Sequence, residues 1–210
     1  MSEKSPVQRE FEDLIKKHLA PLFREHGFKR RGQTFARRWE AGWHVIQVQK
    51  HYRSSRDHIM FWINYAIRCD AHAVFCEDDP LKFPSEPSCE IRKRVALSGA
   101  QSETQLELWG DRRDIGVVGQ VVAALTGSVL PWMDRCSSVD EICEMLRTTP
   151  PANDFPLDSL SVVAVLLRHD PARLRPVLEQ MMLDAKKGGP RDVRRLEDWW
   201  GWPRLLKLLN

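Results

Sequence analysis

The first residues of the chain place apolar side chains three and four positions apart, which is the spacing of an amphipathic helix. Pro21 removes one backbone hydrogen bond near the end of this segment, and Gly27 suits a left-handed C-cap. We therefore expect one helix that ends at Gly27 and packs a single apolar stripe against a core. The stripe consists of Val7, Phe11, Leu14, Ile15, Leu19, Leu22 and Phe23.

The pattern then changes to period two in three segments, residues 34–40, 43–52 and 58–68, which are rich in β-branched and aromatic side chains. Ala41-Gly42 and the polar residues 53–57 separate them, which predicts an antiparallel meander. Residues 89–97 and 105–109 are two further strand candidates. One face of the meander should be apolar, and the other should be polar with aromatic residues.

The rest of the chain is helical in pattern. Residues 111–133 predict a long amphipathic helix that covers the apolar sheet face beside the first helix, and residues 139–147 predict a shorter one. Pro150-Pro151 interrupts the pattern, and further helices are expected over 157–168 and from an Asp170-Pro171 cap to Gly188.

The expected fold is therefore α+β, with an antiparallel sheet of four to five strands covered on one face by two helices and followed by an all-helical extension. We expect residues 1–149 to form the α+β domain. Residues 150–210 should dock on it through their apolar stripes, with three tryptophans as anchors. These tryptophans are Trp199, Trp200 and Trp202.

Composition narrows the class of protein. The chain has 210 residues, of which 42% are hydrophobic and 29% charged, and this excludes disordered, collagen-like and small disulfide-rich proteins. A polar N-terminus and the lack of an apolar run of about 18 residues argue against a signal peptide or membrane span. Five cysteines without a dense framework suit free thiols in a reducing compartment, so we expect a cytoplasmic protein.

The net charge of +3 conceals an uneven distribution. Residues 1–68 carry 14 Lys or Arg against 7 Asp or Glu, residues 69–160 carry 8 against 16, and residues 161–210 carry 10 against 6. Such a dipolar chain suits a partner with its own charge pattern, or self-association, as well as it suits a polyanion.

The order and spacing of several short motifs resemble a bacterial family, domain of unknown function 4304, over roughly residues 8–147. The family often has a serine where this chain has His51, and the C-terminal helices lie outside the resemblance. The resemblance implies a shared fold and a shared face but no reaction. The motifs are Gly27-Phe28-Lys29-Arg30-Arg31-Gly32, Thr34-Phe35, Trp43-His44-Val45-Ile46, Gln49-Lys50, Phe61-Trp62-Ile63-Asn64, Cys89-Glu90-Ile91-Arg92-Lys93-Arg94-Val95, Trp109 and Leu130-Pro131-Trp132.

The first candidate site is the polar face of the meander. Cross-strand neighbours on one face lie about 5 Å apart, so amide side chains there can converge on a ligand or on a partner's backbone. The alternative is an ordinary solvated or covered face. The candidate residues are Arg37, Gln47, Gln49, Trp62 and Asn64.

The second candidate is a basic cluster at the strand ends, with Phe35 and Tyr52 interleaved, which has the composition of a nucleic-acid or phosphate footprint. A solvated rim is the alternative, because consecutive residues on a strand alternate between faces. The cluster contains Lys29, Arg31, Lys50 and Arg53.

Cys69, His72, Cys76 and Cys89 have the ligand types of a structural zinc site, but their spacing is loose and short-knuckle cysteine pairs are missing. We expect no metal and no cofactor. The usual enzymatic motifs are also missing, so we expect no catalysis.

Two hypotheses about function follow. The first is a non-enzymatic binding module, immunity-like in its concrete version, that contacts another protein through the polar sheet face or the C-terminal helices. The second is a nucleic-acid or phosphate binder that uses the basic cluster. The two differ in the salt dependence of binding. The sequence does not identify the partner, the oligomeric state or the pathway.

Overall fold

The computed structural model describes residues 4–97, 104–109, 115–148, 163–164, 166–168, 170–198 and 201–207. The chain divides into two compact units, one made of residues 1–68 and 81–135 and the other of residues 69–80 and 136–210. The predicted boundary at residues 149 and 150 lies outside the described residues, so that division stays a prediction.

The first unit begins with the predicted helix, which runs from Pro6 to Asp13 (α1), through a π-helical turn over Leu14–Leu19, to Ala20–Glu25 (α2). Ser5 forms a capping box at its start, because its hydroxyl accepts from the Gln8 amide and the Gln8 side chain accepts from the Ser5 amide. Gly27 follows α2 with φ +80°, which confirms the predicted left-handed C-cap.

Both long helices of this unit contain a π-helical turn that ends two residues before a proline. The first turn ends at Leu19, before Pro21, and the second ends at Val129, before Pro131. A proline inside a helix cannot donate to the residue four positions back, and its ring crowds that carbonyl. The wider turn accommodates the ring and lets each helix continue.

The described residues of the first unit form a six-stranded sheet in the order β1-β2-β3-β4-β5, with β6 also paired to β4. The twelve-residue β4 is central, because β5 pairs antiparallel with its second half and β6 with its first half. The strands are β1 Lys29–Arg31, β2 Thr34–Trp39, β3 Gly42–Lys50, β4 His58–Cys69, β5 Ile91–Arg94 and β6 Leu106–Trp109.

The helices cover one face of this sheet. The covering elements are α1 and α2 and a second long helix, Ile115–Ala124 (α4) and Leu130–Arg135 (α5), joined by the π-helical turn Leu125–Val129. They bury one alternate set of strand side chains in a single apolar core. The strand members of that core are Phe35, Ile46, Val48, Ile59, Phe61, Ile63, Leu106 and Leu108.

The α+β prediction is confirmed, and the sheet has one strand more than expected because the short β1 was not predicted. By length and hydropathy, the helix Gly116–Arg135 is also long and apolar enough to cross a membrane. The core helix of a soluble protein passes the same test, and this helix contributes Val121, Leu125 and Val129 to the core described above.

The second unit is helical. Its described helices are Asp70–Phe75 (α3), Val139–Thr148 (α6), Pro171–Gly188 (α7), Pro190–Glu197 (α8) and Trp202–Leu206 (α9). Asp170 caps α7 as predicted, because its carboxylate accepts from the Arg173 amide at 3.2 Å. Trp202 lies in the apolar core of this unit, whereas Trp199 and Trp200 lie outside the described residues.

Candidate functional site

The sheet face opposite the helices carries the polar candidates, and we call it the outer face. Strand pairing defines it, since Thr34 faces Gln47, Ala36 faces Val45, Asn64 faces Arg94 and Met60 faces Glu107. Its charge is strongly one-sided: among the described strand residues it carries one carboxylate, Glu107, against six cationic side chains. These are Lys29, Arg31, Arg38, Arg68, Arg92 and Arg94.

Part of the outer face is covered by the segment that connects β4 to β5. Phe83 and Cys89 of that segment pack on the strand residues Ala36, Trp43 and Val45. Arg31 extends along the same side, with its guanidinium 4.8 Å from the Phe83 ring. The other part of the face, around Gln47, Gln49 and Trp62, is half-buried or exposed.

Three aromatic rings lie in sequence across the uncovered part, with a guanidinium group at each end, and we call this series of contacts the ring row. The Arg94 guanidinium lies 4.9 Å from the Trp62 ring, and the Trp62 and His51 rings are 4.9 Å apart. His51 in turn lies 4.4 Å from Tyr52, and the Arg53 guanidinium lies 5.4 Å from the Tyr52 ring. Tyr52 is 81% exposed, so the row ends in a ring that is open to solvent.

The buried side chain of Asn64 connects Gln49 and Arg94 through two hydrogen bonds. It is 2% exposed, its side-chain nitrogen donates to Gln49 Oε1 at 2.7 Å, and its oxygen accepts from Arg94 Nε at 3.2 Å. Burial of the Asn64 amide without hydrogen-bond partners would destabilise the folded protein. The two bonds avoid this cost, and they also fix the positions of the Gln49 and Arg94 side chains. Three predicted site residues, Gln49, Trp62 and Asn64, are therefore brought together, and Gln47 shares their face.

Arg37 was predicted on the same face, and this prediction was wrong. Pairing with His44 places it on the helix-covered side, one residue out of phase with Gln47. There its guanidinium donates to Asp134 and to the His26 carbonyl, and its Nε lies 3.2 Å from His44 Nδ1. Arg37 therefore links β2 to α5 through its ion pair with Asp134.

The predicted basic cluster is divided by the same alternation. Lys29 and Arg31 lie on the outer face, whereas Lys50 lies on the opposite side and lines a cleft beside α1. Arg53 follows in the β3–β4 turn and contacts Tyr52. The four residues therefore do not form one patch, although three of them lie along the outer face and its edge.

The zinc candidates also separate. Cys76 and His72 face each other within one helical turn, with Cys76 Sγ 3.8 Å from the ring nitrogens, while Cys89 belongs to the buried cluster under Phe83. Burial raises the pKa of the Cys89 thiol far above its ordinary value. Among the residues that the structure describes, no group of three or more His, Cys, Asp or Glu side chains is arranged for a metal ion.

Glu86 adds one buried carboxyl group near the outer face. It is 8% exposed, and burial raises its pKa above the ordinary value, while the positive charges of Arg92 and Arg94 oppose this shift. The Glu86 carboxylate therefore offsets part of the positive charge of Arg92 and Arg94 only at pH values above this raised pKa.

Sequence reasoning missed Arg94 and Arg92 as site residues and did not place His51 and Tyr52 beside Trp62. The signal for His51 was its position two residues after Gln49 on the same strand face. No local signal identifies Arg94, because its position depends on the pairing of β5 with β4, 30 residues apart in the chain.

A family model, Domain of unknown function (DUF4304), matches residues 19–135. The matched range contains every strand that the structure describes, and with them the described residues of the outer face. No curated protein and no solved structure matches the chain.

Proposed function

The chain belongs to the DUF4304 family, and we propose from the geometry of its outer face that it is a non-enzymatic binding module that holds a single-stranded nucleic acid there. The ring row carries this proposal. Base stacking on aromatic side chains and on guanidinium planes is the usual way in which an open sheet face holds unpaired bases.

The charge of the outer face supports the same ligand. Phosphates of a bound strand need cations along its path. Arg94 lies on the Trp62 ring, and the same face carries Lys29, Arg31 and Arg92 beyond the ring row, toward the covered part. Glu107 on β6 is the one carboxylate among the described strand residues of this face. An even mixture of charges, as found on many protein-binding surfaces, would not produce this bias.

A single strand suits the geometry better than a duplex does. Tyr52 and Trp62 present ring surfaces, which need unstacked bases, and bases inside a duplex are already stacked on each other. The amides of Gln47 and Gln49 beside these rings supply donors and acceptors for base edges.

Binding is tested by fluorescence anisotropy with a labelled oligouridylate of about ten nucleotides and a duplex of the same length, at about 50 mM salt. We expect the single strand to bind with a Kd well below about 100 μM and more tightly than the duplex. Tyr52→Ala should weaken binding roughly 5- to 150-fold, since one stacked base contributes about 1–3 kcal/mol.

Leu183→Ala is the matched control, because it removes an exposed apolar side chain (53% exposed) from a helix of the second unit. It should leave the affinity unchanged. Failure to bind the single strand below about 100 μM, or equal affinities for the Tyr52→Ala and unmodified proteins, would refute the proposal. Capture of an acidic protein by the same face, lost in Tyr52→Ala, would instead favour the protein-contact hypothesis.

A further inference from the structure

A cleft of about 510 Å³ lies between the helical segment Pro6–Leu19 and the ends of β1, β3 and β4, on the opposite side of the sheet from the outer face. We propose that this cleft binds a small molecule that carries an oxyanion on an apolar body. The proposal concerns a second site and does not depend on nucleic-acid binding.

The floor of the cleft is apolar. It is lined by Phe11 of α1, Ile15 of the π-helical turn that follows and Ile59 of β4, and each is no more than 4% exposed. The Phe11 ring is held edge-to-face against Phe61, with the ring centres 5.2 Å apart. Because these side chains are packed in the core, each presents only a small, fixed apolar patch at the base of the cleft to the body of a ligand.

The rim of the cleft is cationic. Lys4, Lys16, Arg30 and Lys50 line it together with one carboxylate, Glu12. Glu12 is already paired with two of these cations, at 2.5 Å to Lys4 Nζ and 3.0 Å to Lys16 Nζ. Hydrogen bonds from these two lysines hold the pKa of Glu12 below its ordinary value, so it remains ionised and occupied with them.

Arg30 and Lys50 are the cations that remain for a ligand. In the part of the chain that the structure describes, neither has a carboxylate within ion-pair distance. Arg30 Nε donates to the Gly32 carbonyl at 2.7 Å, and its guanidinium lies 5.6 Å from the Phe35 ring, which orients the group. A guanidinium and an ammonium group on one rim match the charge of a phosphate or carboxylate.

Fixed contacts order the segments that border the cleft on two sides. The Ser5 hydroxyl, 3% exposed as a residue, donates to the Arg56 carbonyl and ties the start of α1 to the β3–β4 turn. Gly32, with φ +62°, forms the turn between β1 and β2, and its carbonyl accepts the hydrogen bond from Arg30 Nε. A site that is formed before binding loses little conformational entropy when the ligand enters.

The probe is 1-naphthyl phosphate, titrated into the full chain by calorimetry beside 1-naphthoate, inorganic phosphate and 1-naphthol. We expect naphthyl phosphate or naphthoate to bind at least about tenfold more tightly than either inorganic phosphate or naphthol, because only the first two supply both charge and body. The stronger of the two identifies the oxyanion. Equal binding of all four compounds, or binding of none, would overturn the proposal.

Lys50→Ala should weaken binding of the preferred probe roughly tenfold, because Lys50 is exposed and its loss removes a direct charged contact. Lys17→Ala is the matched control. Lys17 is an exposed lysine that follows Lys16 in the chain, does not line the cleft and pairs with Asp13. Tyr52→Ala should bind the probe normally. An unchanged affinity in Lys50→Ala would overturn the assignment of the anionic end.

Discussion

Replacement of Asn64 by leucine tests whether the buried amide organises the outer face. Leucine has the same number of side-chain heavy atoms and the same branching as asparagine, with bulkier methyl groups, so Asn64→Leu removes two hydrogen bonds without opening a cavity. One of them is a bond to a neutral group, Gln49, and the other accepts from the charged Arg94. Bonds of these kinds contribute about 0.5–1.5 and 1.5–3 kcal/mol respectively.

Two effects reduce this sum. The oxygen of Gln49 is on an exposed side chain and regains water, and the added apolar surface of leucine is buried at a site that is 2% exposed. We therefore expect the free energy of unfolding to fall by about 1–3 kcal/mol, measured by urea denaturation. Arg94 should also lose its fixed place over Trp62, so oligouridylate affinity should fall several-fold.

Asn64→Asp is the informative companion variant, because a carboxylate keeps the acceptor for Arg94 but loses the donor to Gln49. Its oligouridylate affinity should lie between those of the unmodified protein and Asn64→Leu at equal salt. The reasoning is refuted if Asn64→Leu unfolds at the same urea concentration and binds the strand as the unmodified protein does.

Three further predictions concern stability, each measured by urea denaturation. Glu86→Gln should stabilise the protein at pH 8 but not at pH 4. The pKa of Glu86 is raised in the folded state, so its ionisation at high pH destabilises the folded protein, and glutamine cannot ionise. A difference in stability that does not vary with pH would contradict this. Ser5→Ala should cost about 0.5–2 kcal/mol through loss of the helix cap, and an unchanged midpoint would argue against the capping box. Gly42→Ala should cost about 1–3 kcal/mol or prevent folding, since the new Cβ would clash with the Arg68 carbonyl oxygen, and a variant of unchanged stability would contradict this close approach.

The strands that were predicted well are those with one clear alternation. In β4, Ile59, Phe61 and Ile63 lie on the covered face and Trp62 and Asn64 on the other, as period two requires. The strand β1 was missed because all three of its residues are exposed and charged, which leaves no apolar alternation to detect.

The error over Arg37 has a related cause. Both Phe35 and Ala36 are buried, one under each face of β2, and Arg37-Arg38 follow as two consecutive cations. Hydrophobicity therefore does not tell which arginine shares a face with Gln47, and only the pairing with β3 decides it. Likewise, Arg94 joins the ring row through a long-range strand pairing that no local pattern encodes.

The salt dependence of oligouridylate binding tests the central proposal most directly. If Lys29, Arg31, Arg92 and Arg94 each neutralise one phosphate, the logarithm of the association constant should fall against the logarithm of salt concentration with a slope of about −3. Arg92→Ala should reduce the steepness by about 0.7, whereas Lys186→Ala in the second unit should not change it. A slope flatter than about −1, with Arg92→Ala identical to the unmodified protein, would contradict the proposal that the outer face binds nucleic acid.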